Sequence, residues 1–250
     1  MNPTPSPEVG GAITALVQGR HQQPHDLLGQ HLEPGGLRIR VLKPLAQSVQ
    51  VRFEDGVTLD LAHEAEGVWT AVRADAERTM DYRLAVAWAD GIEHVQDDPY
   101  RFAPTLGEVD LHLVNEGRHE LLWTVLGSRL HEYDGPMGPV KGVAFAVWAP
   151  RAKAVRVIGD FNDWDGRIHP MRMLGGSGVW ELFVPDVGVG NIYKYEIRGA
   201  DDVVRTKADP MARRTECPPN TGSVVDASGH EWGDAQWMEQ RARSNPHTGP

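Results

Sequence analysis

A repeat limits the folds open to this chain. The tripeptide Gly-Val-Trp occurs at Gly67–Trp69 and again at Gly178–Trp180, 178 − 67 = 111 residues later. Tyr82 in DYRLAVAW and Tyr193 in IYKYEIRG stand at the same offset, as do the Asp-Pro pairs beginning at Asp98 and Asp209. Upstream, RVLKP ends at Pro44 and AVWAP at Pro150, and each is followed by a V-x-V pair, Val49/Val51 and Val155/Val157. HDLLG, ending at Gly29, parallels in outline the apolar stretch HELLWTVLG, ending at Gly127. Three matches at one offset, in one order, predict two copies of a single fold.

The pattern inside each copy is that of strands. Val143, Phe145 and Val147 alternate with smaller residues; Trp180, Leu182 and Val184 share a face, as do Tyr193, Tyr195 and Ile197. Period-two alternation predicts strands with one packed and one wet face, and two such sheets must cover each other. Gly- and Asp-rich stretches at 54–56, 175–178 and 186–190 supply turns. The expected fold class is all-β: two immunoglobulin-like antiparallel β-sandwiches in tandem, joined by a short helical linker. The expected divisions are a flexible tail at 1–19, a first sandwich at 20–105, a linker at 106–137, a second sandwich at 138–226 and a polar segment at 227–250. Asn115 in an N-cap position predicts the linker helix over 116–126, ended by Gly127, and 234–243 reads as one further helix.

Charge and composition exclude several functions. Acidic residues outnumber basic ones, 35 to 25, for a net charge of −10. That sign repels phosphate backbones and anionic lipid, so neither nucleic acid nor a membrane is an expected partner. No apolar run spans a bilayer, and the first residues lack the pattern of a signal peptide, so a cytoplasmic location is expected. One cysteine, Cys217, allows no internal disulfide and has no companion thiol. His21, His25 and His31 cluster, but at no metal-ligand spacing, and no cofactor or metal is expected.

No Ser/His/Asp order, phosphate loop or dinucleotide fingerprint is present. Asp160, Asp163 and Asp165 lie together in GDFNDWDG, where short polar side chains most simply close a turn. Trp164 in that turn is more telling. Its indole has less packing to do there than Trp180 has on its strand, and an indole face matches the C–H face of a glucose ring. Packing of Trp164 against a neighbouring domain is the competing reading.

Residues 143–197, with VAFAVWAPRAKAVRVIGDFNDW and IYKYEI, resemble carbohydrate-binding module family 48 of the α-amylase superfamily. Residues 98–127 resemble the linker between the two N-terminal modules of long bacterial 1,4-α-glucan branching enzymes, and 231–250 resemble an approach to their catalytic barrel. The resemblance implies non-catalytic modules that bind glucan or position the barrel of a retaining enzyme that makes α-1,6 branches in glycogen. Its partners would be α-glucans such as glycogen and malto-oligosaccharides, and the C-terminal barrel of the same enzyme. The barrel's catalytic carboxylates have no matching position here, so no catalytic residue is expected in this chain. The sugar-contact residues implied are Trp164, Lys194 and the neighbouring Asn162. The second tryptophan of glycogen-binding relatives is missing, since Val203 and Val204 stand near its place. A stand-alone glycogen-targeting module and the front of a debranching enzyme are the alternatives.

Overall fold

A computed structural model describes residues 5–229 and 231–243 of the protein. The chain opens with helix α1 (Pro7–Val17). The first set of strands follows: β1 (Gly29–Glu33), β2 (Gly36–Leu42), β3 (Ser48–Phe53), β4 (Thr58–Asp60), β5 (Ala62–Ala65), β6 (Val68–Arg73), β7 (Tyr82–Ala87) and β8 (Glu93–Gln96). Helix α2 (Glu108–Asn115) lies in the connection. The second set comprises β9 (Gly127–Tyr133), β10 (Val140–Trp148), β11 (Ala154–Gly159), β12 (Arg172–Met173), β13 (Val179–Pro185), β14 (Ile192–Arg198), β15 (Val204–Lys207), β16 (Arg214–Thr215) and β17 (Ser223–Val224). Helix α3 (Ala235–Arg243) comes last, where the sequence pattern predicts it.

All strand pairs are antiparallel, and the two sets repeat one plan. One sheet of the first set runs β1-β2-β6-β5; its counterpart runs β9-β10-β13-β12. The facing sheets are built on β3-β7 and β11-β14. Between the first pair pack Leu37, Ile39 and Val41 against Val51, Phe53, Tyr82 and Leu84. Between the second pack Phe145, Trp180 and Leu182 against Val157, Tyr193 and Tyr195. The repeated residues explain the shared plan. Gly67 and Gly178 both take positive φ, and a Cβ on either would strike the backbone of Pro44 or Pro150 at 2.9 and 2.6 Å. Two residues on, the Trp69 and Trp180 indoles donate to the carbonyls of Lys43 and Ala149. Each copy thus closes the same corner with the same Gly-Val-Trp.

Three expectations need correction. Residues 7–17 of the supposed flexible tail form α1, with Ser6 accepting from the Val9 amide as N-cap and Pro7 at the first turn. Its Ile13 and Leu16 are fully buried in a core that reaches from Leu42 and Val68 of the first set to Val143 of the second. Arg156 and Arg198 of the second sandwich bond the carbonyls that end the helix, at Val17, Gln18 and Gly19. The linker helix lies at 108–115, not 116–126. Gly107 precedes it, Asp110 reaches back to the Gly107 amide, and Asn115 is its last residue. Finally, β13 is buried on both faces. The linker covers its outer side, with Phe102, Leu106 and Leu126 lying over Ala144, Ala146, Val179 and Phe183. The small residues of β10 are what allow that close approach.

A buried ion pair fastens the linker. Arg172 donates to Glu181 at 2.8 and 2.9 Å and to the Phe102 carbonyl at 3.1 Å. The other Glu181 oxygen accepts from the Thr105 amide and hydroxyl. Tyr100, from the first copy's end, donates to the Pro170 carbonyl at 3.1 Å.

Candidate functional site

Strand β11 ends at Gly159 and runs into a 3-10 turn, Asp160–Asn162. A side chain at Gly159 would meet the Ile192 carbonyl at 2.4 Å, so glycine lets the turn lie against β14. Asp160 accepts from the Ile192 amide at 3.0 Å, and the Trp164 amide donates to the Gly159 carbonyl at 3.0 Å. Inside the turn, Phe161 stacks on Phe145 of the core. Asp163 and Trp164 both have left-handed backbones, φ 51 and 60. Aspartate tolerates that region; a bulky aromatic does so at a cost of order 1–3 kcal/mol, a strain found most often at functional positions. Trp164 remains 40% exposed in this strained place. Asp165 and Arg167 close the far side, and the guanidinium holds the Asp165 carboxyl below its ordinary range.

Lys194 stands on β14 opposite Ile158, one residue before the turn's glycine. The register therefore brings Lys194 and the Trp164 turn to one end of the β11–β14 ladder. The Lys194 ammonium donates to the Thr221 hydroxyl at 2.8 Å, which fixes the side chain on the outer face. It retains further hydrogens for a ligand.

Asn162 does not join them, which corrects the expectation that it contacts sugar. It is 4% exposed and its amide is committed. Oδ1 accepts from the Gly159 amide at 2.9 Å, and Nδ2 donates to the Val157 carbonyl at 3.0 Å and to His169 Nδ1 at 2.9 Å. Asn162 shapes the turn that displays Trp164. The place of the missing second tryptophan is the β14–β15 hairpin, where Val203 and Val204 are exposed between Asp201–Arg205 and Lys153–Asp202 ion pairs. That hairpin lies four residues along β14 from Lys194, about 13 Å away.

Sequence reasoning overlooked Trp148, which ends β10 with 56% of its surface exposed beside a shallow apolar groove of about 620 Å³. It also overlooked the cleft between the two sandwiches, where Lys43 and Gln96 face His169 and Asp186. No local motif marks that cleft, because its two walls come from segments more than sixty positions apart, Pro99 and Phe161 being the nearest in sequence. Burial, with the charge of Lys43 added, pushes the His169 imidazole down to about 3.

Two family models match the chain. Residues 126–212 match carbohydrate-binding module 48 (isoamylase N-terminal domain), and residues 10–100 match the N-terminal domain of the α-1,4-glucan branching enzyme GlgB. Among similar curated proteins, the 1,4-alpha-glucan branching enzymes GlgB of Rhodococcus jostii and Thermobifida fusca are 51% and 53% identical over 238 residues. Each alignment covers 95% of this chain and 32% of the relative. The GlgB of Leifsonia xyli is 49% identical over 99% of the chain. The chain thus spans about a third of the length of the curated relatives it matches. Among solved structures, the pullulanase of Bacillus subtilis complexed with maltose aligns over 78% of this chain and 26% of its own, with 18% identity and a TM-score of 0.35.

Proposed function

We propose, for a chain that corresponds to the N-terminal portion of the 1,4-α-glucan branching enzymes, that its two sandwiches hold and orient α-glucan for a catalytic domain carried by the rest of such an enzyme. The activity served would be transfer of α-1,4-linked segments to make α-1,6 branches. The observation that carries this reading is Trp164. The turn holds a bulky residue in a left-handed backbone and leaves its indole partly exposed. A core role would bury the ring; a stacking role needs it presented. Lys194 adds an ammonium donor for a sugar hydroxyl, and its charge has no counterpart on a neutral glucan. Trp164 is therefore the larger contributor.

The site has one aromatic face and a few solvent-competed hydrogen bonds, each exchanged against one to water. The expected affinity for maltoheptaose is weak, with a dissociation constant in the range of about 0.1–10 mM. Calorimetric titration of the 250-residue chain tests this. Saturable binding in that range supports the reading, and no heat up to the solubility of the sugar contradicts it.

The chain alone is expected to form no α-1,6 linkages on amylose. Such chemistry needs a positioned pair of carboxylates around the scissile bond. Of the three aspartates in the Trp164 turn, Asp160 and Asp165 are engaged in closing it.

A further inference from the structure

The cleft between the two sandwiches encloses about 370 Å³, within the ~300–1,000 Å³ range of small-molecule sites. Its walls are chemically mixed. On one side, Lys43 is 8% exposed and donates to Gln96 Oε1 at 3.1 Å. Gln96 Nε2 is buried without a hydrogen-bond partner. On the other side stands His169, and the geometry fixes its tautomer. The Gly159 amide can only donate to Asn162 Oδ1, so Asn162 Nδ2 carries the hydrogens and donates one to His169 Nδ1. The proton of the neutral imidazole is then on Nε2, which makes that nitrogen a donor. Acceptors are present too. Asp186 lines the cleft from a left-handed backbone position, φ 61, and Phe161 offers ring surface.

Charge in the cleft is nearly balanced. Lys43 faces the buried Asp98, and Asp97 is held by Arg101 and Arg83. Neither an anion nor a cation would gain much there. Neutral amide and imidazole donors beside a carboxylate acceptor and an aromatic ring suit a neutral molecule rich in hydroxyl groups. We propose that this cleft is a second glucan-engaging site, which takes the end of an α-glucan chain between the two sandwiches and is separate from the Trp164 turn. The choice of an α-glucan rests on the function proposed above. Because both sandwiches wall the cleft, a bound chain end also ties their relative placement to glucan occupancy.

The test is a titration of the ¹⁵N-labelled 250-residue chain with maltotriose, following backbone amides. In the wild type, amides at 96–97 and 186–191 are expected to shift with their own saturation curve, distinct from amides at 163–165. Trp164→Ala should abolish the shifts at 163–165 and leave the cleft curve in place. Asp186→Gly suits the left-handed backbone and removes the acceptor. It should weaken the cleft curve at least fivefold without changing the curve at 163–165, and Gln96→Leu should do the same from the opposite wall. The proposal is overturned if the cleft amides stay still while the Trp164 turn titrates, or if both regions follow one curve that Trp164→Ala abolishes. Shifts in the cleft without shifts at 163–165 uphold the cleft and remove Trp164 from the account. Stillness in both regions overturns the cleft together with the glucan reading.

Discussion

Tyr193 donates its hydroxyl to the Asp209 carboxylate at 2.6 Å inside the second sandwich, and both residues are buried. Tyr82 donates to Asp98 at 2.7 Å in the first sandwich, with the same spacing of 209 − 193 = 98 − 82 = 16 residues. In each copy the other carboxylate oxygen accepts a backbone amide, from Met211 or Tyr100. Burial raises both aspartates above their ordinary range, so these bonds are what make the carboxylates tolerable there. Asp209 has a second hydroxyl from Tyr195 at 3.1 Å, whereas the only hydroxyl bonded to Asp98 among the described residues is Tyr82. Tyr82→Phe should therefore cost more stability than Tyr193→Phe, each within about 1–3 kcal/mol. Urea unfolding of the two variants measures the order; equal or reversed costs would contradict it.

The Arg172–Glu181 pair gives a second expectation. Glu181 is fully buried, and among the described residues its carboxylate bonds to Arg172 and Thr105. Glu181→Leu leaves a buried guanidinium uncompensated and should cost about 3–5 kcal/mol. Arg172→Met together with Glu181→Leu should recover much of that loss, because two apolar chains replace two charges. A double-mutant cycle by chemical denaturation decides the matter. A double variant less stable than the Glu181→Leu single variant would show that the pair is not the main constraint at this seam.

His169 makes stability depend on pH. The folded chain refuses its proton down to about pH 3, while the unfolded chain takes one up below about 6.5. Stability therefore falls as pH drops through that window, by about 2 kcal/mol between pH 7 and 5 for this residue alone. His25, held low by burial, acts in the same direction. The raised Asp98 and Asp209 act against it, because they lose stability as pH rises. The His169 share is isolated by His169→Asn, which keeps an acceptor for Asn162. Its unfolding free energy should change less between pH 7 and 5 than that of wild type. Equal changes would place the pH dependence elsewhere.

Much of the architecture was legible because it rests on local patterns. The Gly-Val-Trp corners, the alternating Val143, Phe145 and Val147, and the Tyr–Asp pairs are repeated physical solutions, and the repeat exposes them. Helix α1 was not legible. Prolines and small residues near the start suggested a loose tail, while the short apolar stripe of Val9, Ile13, Leu16 and Val17 finds its cover only in a core shared by both sandwiches. The linker helix was displaced because Asn115 resembles an N-cap, yet it is the last residue of a helix whose Leu111 and Val114 pack toward Ala146 and Val179 of the sheet. At the site, Trp164 was proposed from the polar turn that holds it and Lys194 from the family resemblance, and the structure places both at one end of the β11–β14 ladder. Asn162 looked like an exposed ligand because a turn residue's direction is not written in its neighbours. The cleft was invisible because no sequence window contains both of its walls.

The central claim is that the 161–165 turn exists to present Trp164. Glycine adopts φ 60 without strain, so Trp164→Gly removes the indole and relieves the backbone together. If the ring only presents a face to sugar, the variant should melt within a few degrees of wild type. Maltoheptaose titration followed by backbone amides should then show wild-type shifts at 163–165 that the variant lacks, with Lys194→Ala weakening binding less than Trp164→Gly does. Identical titrations of wild type and a folded Trp164→Gly chain would contradict the account and leave Trp164 as a packing residue.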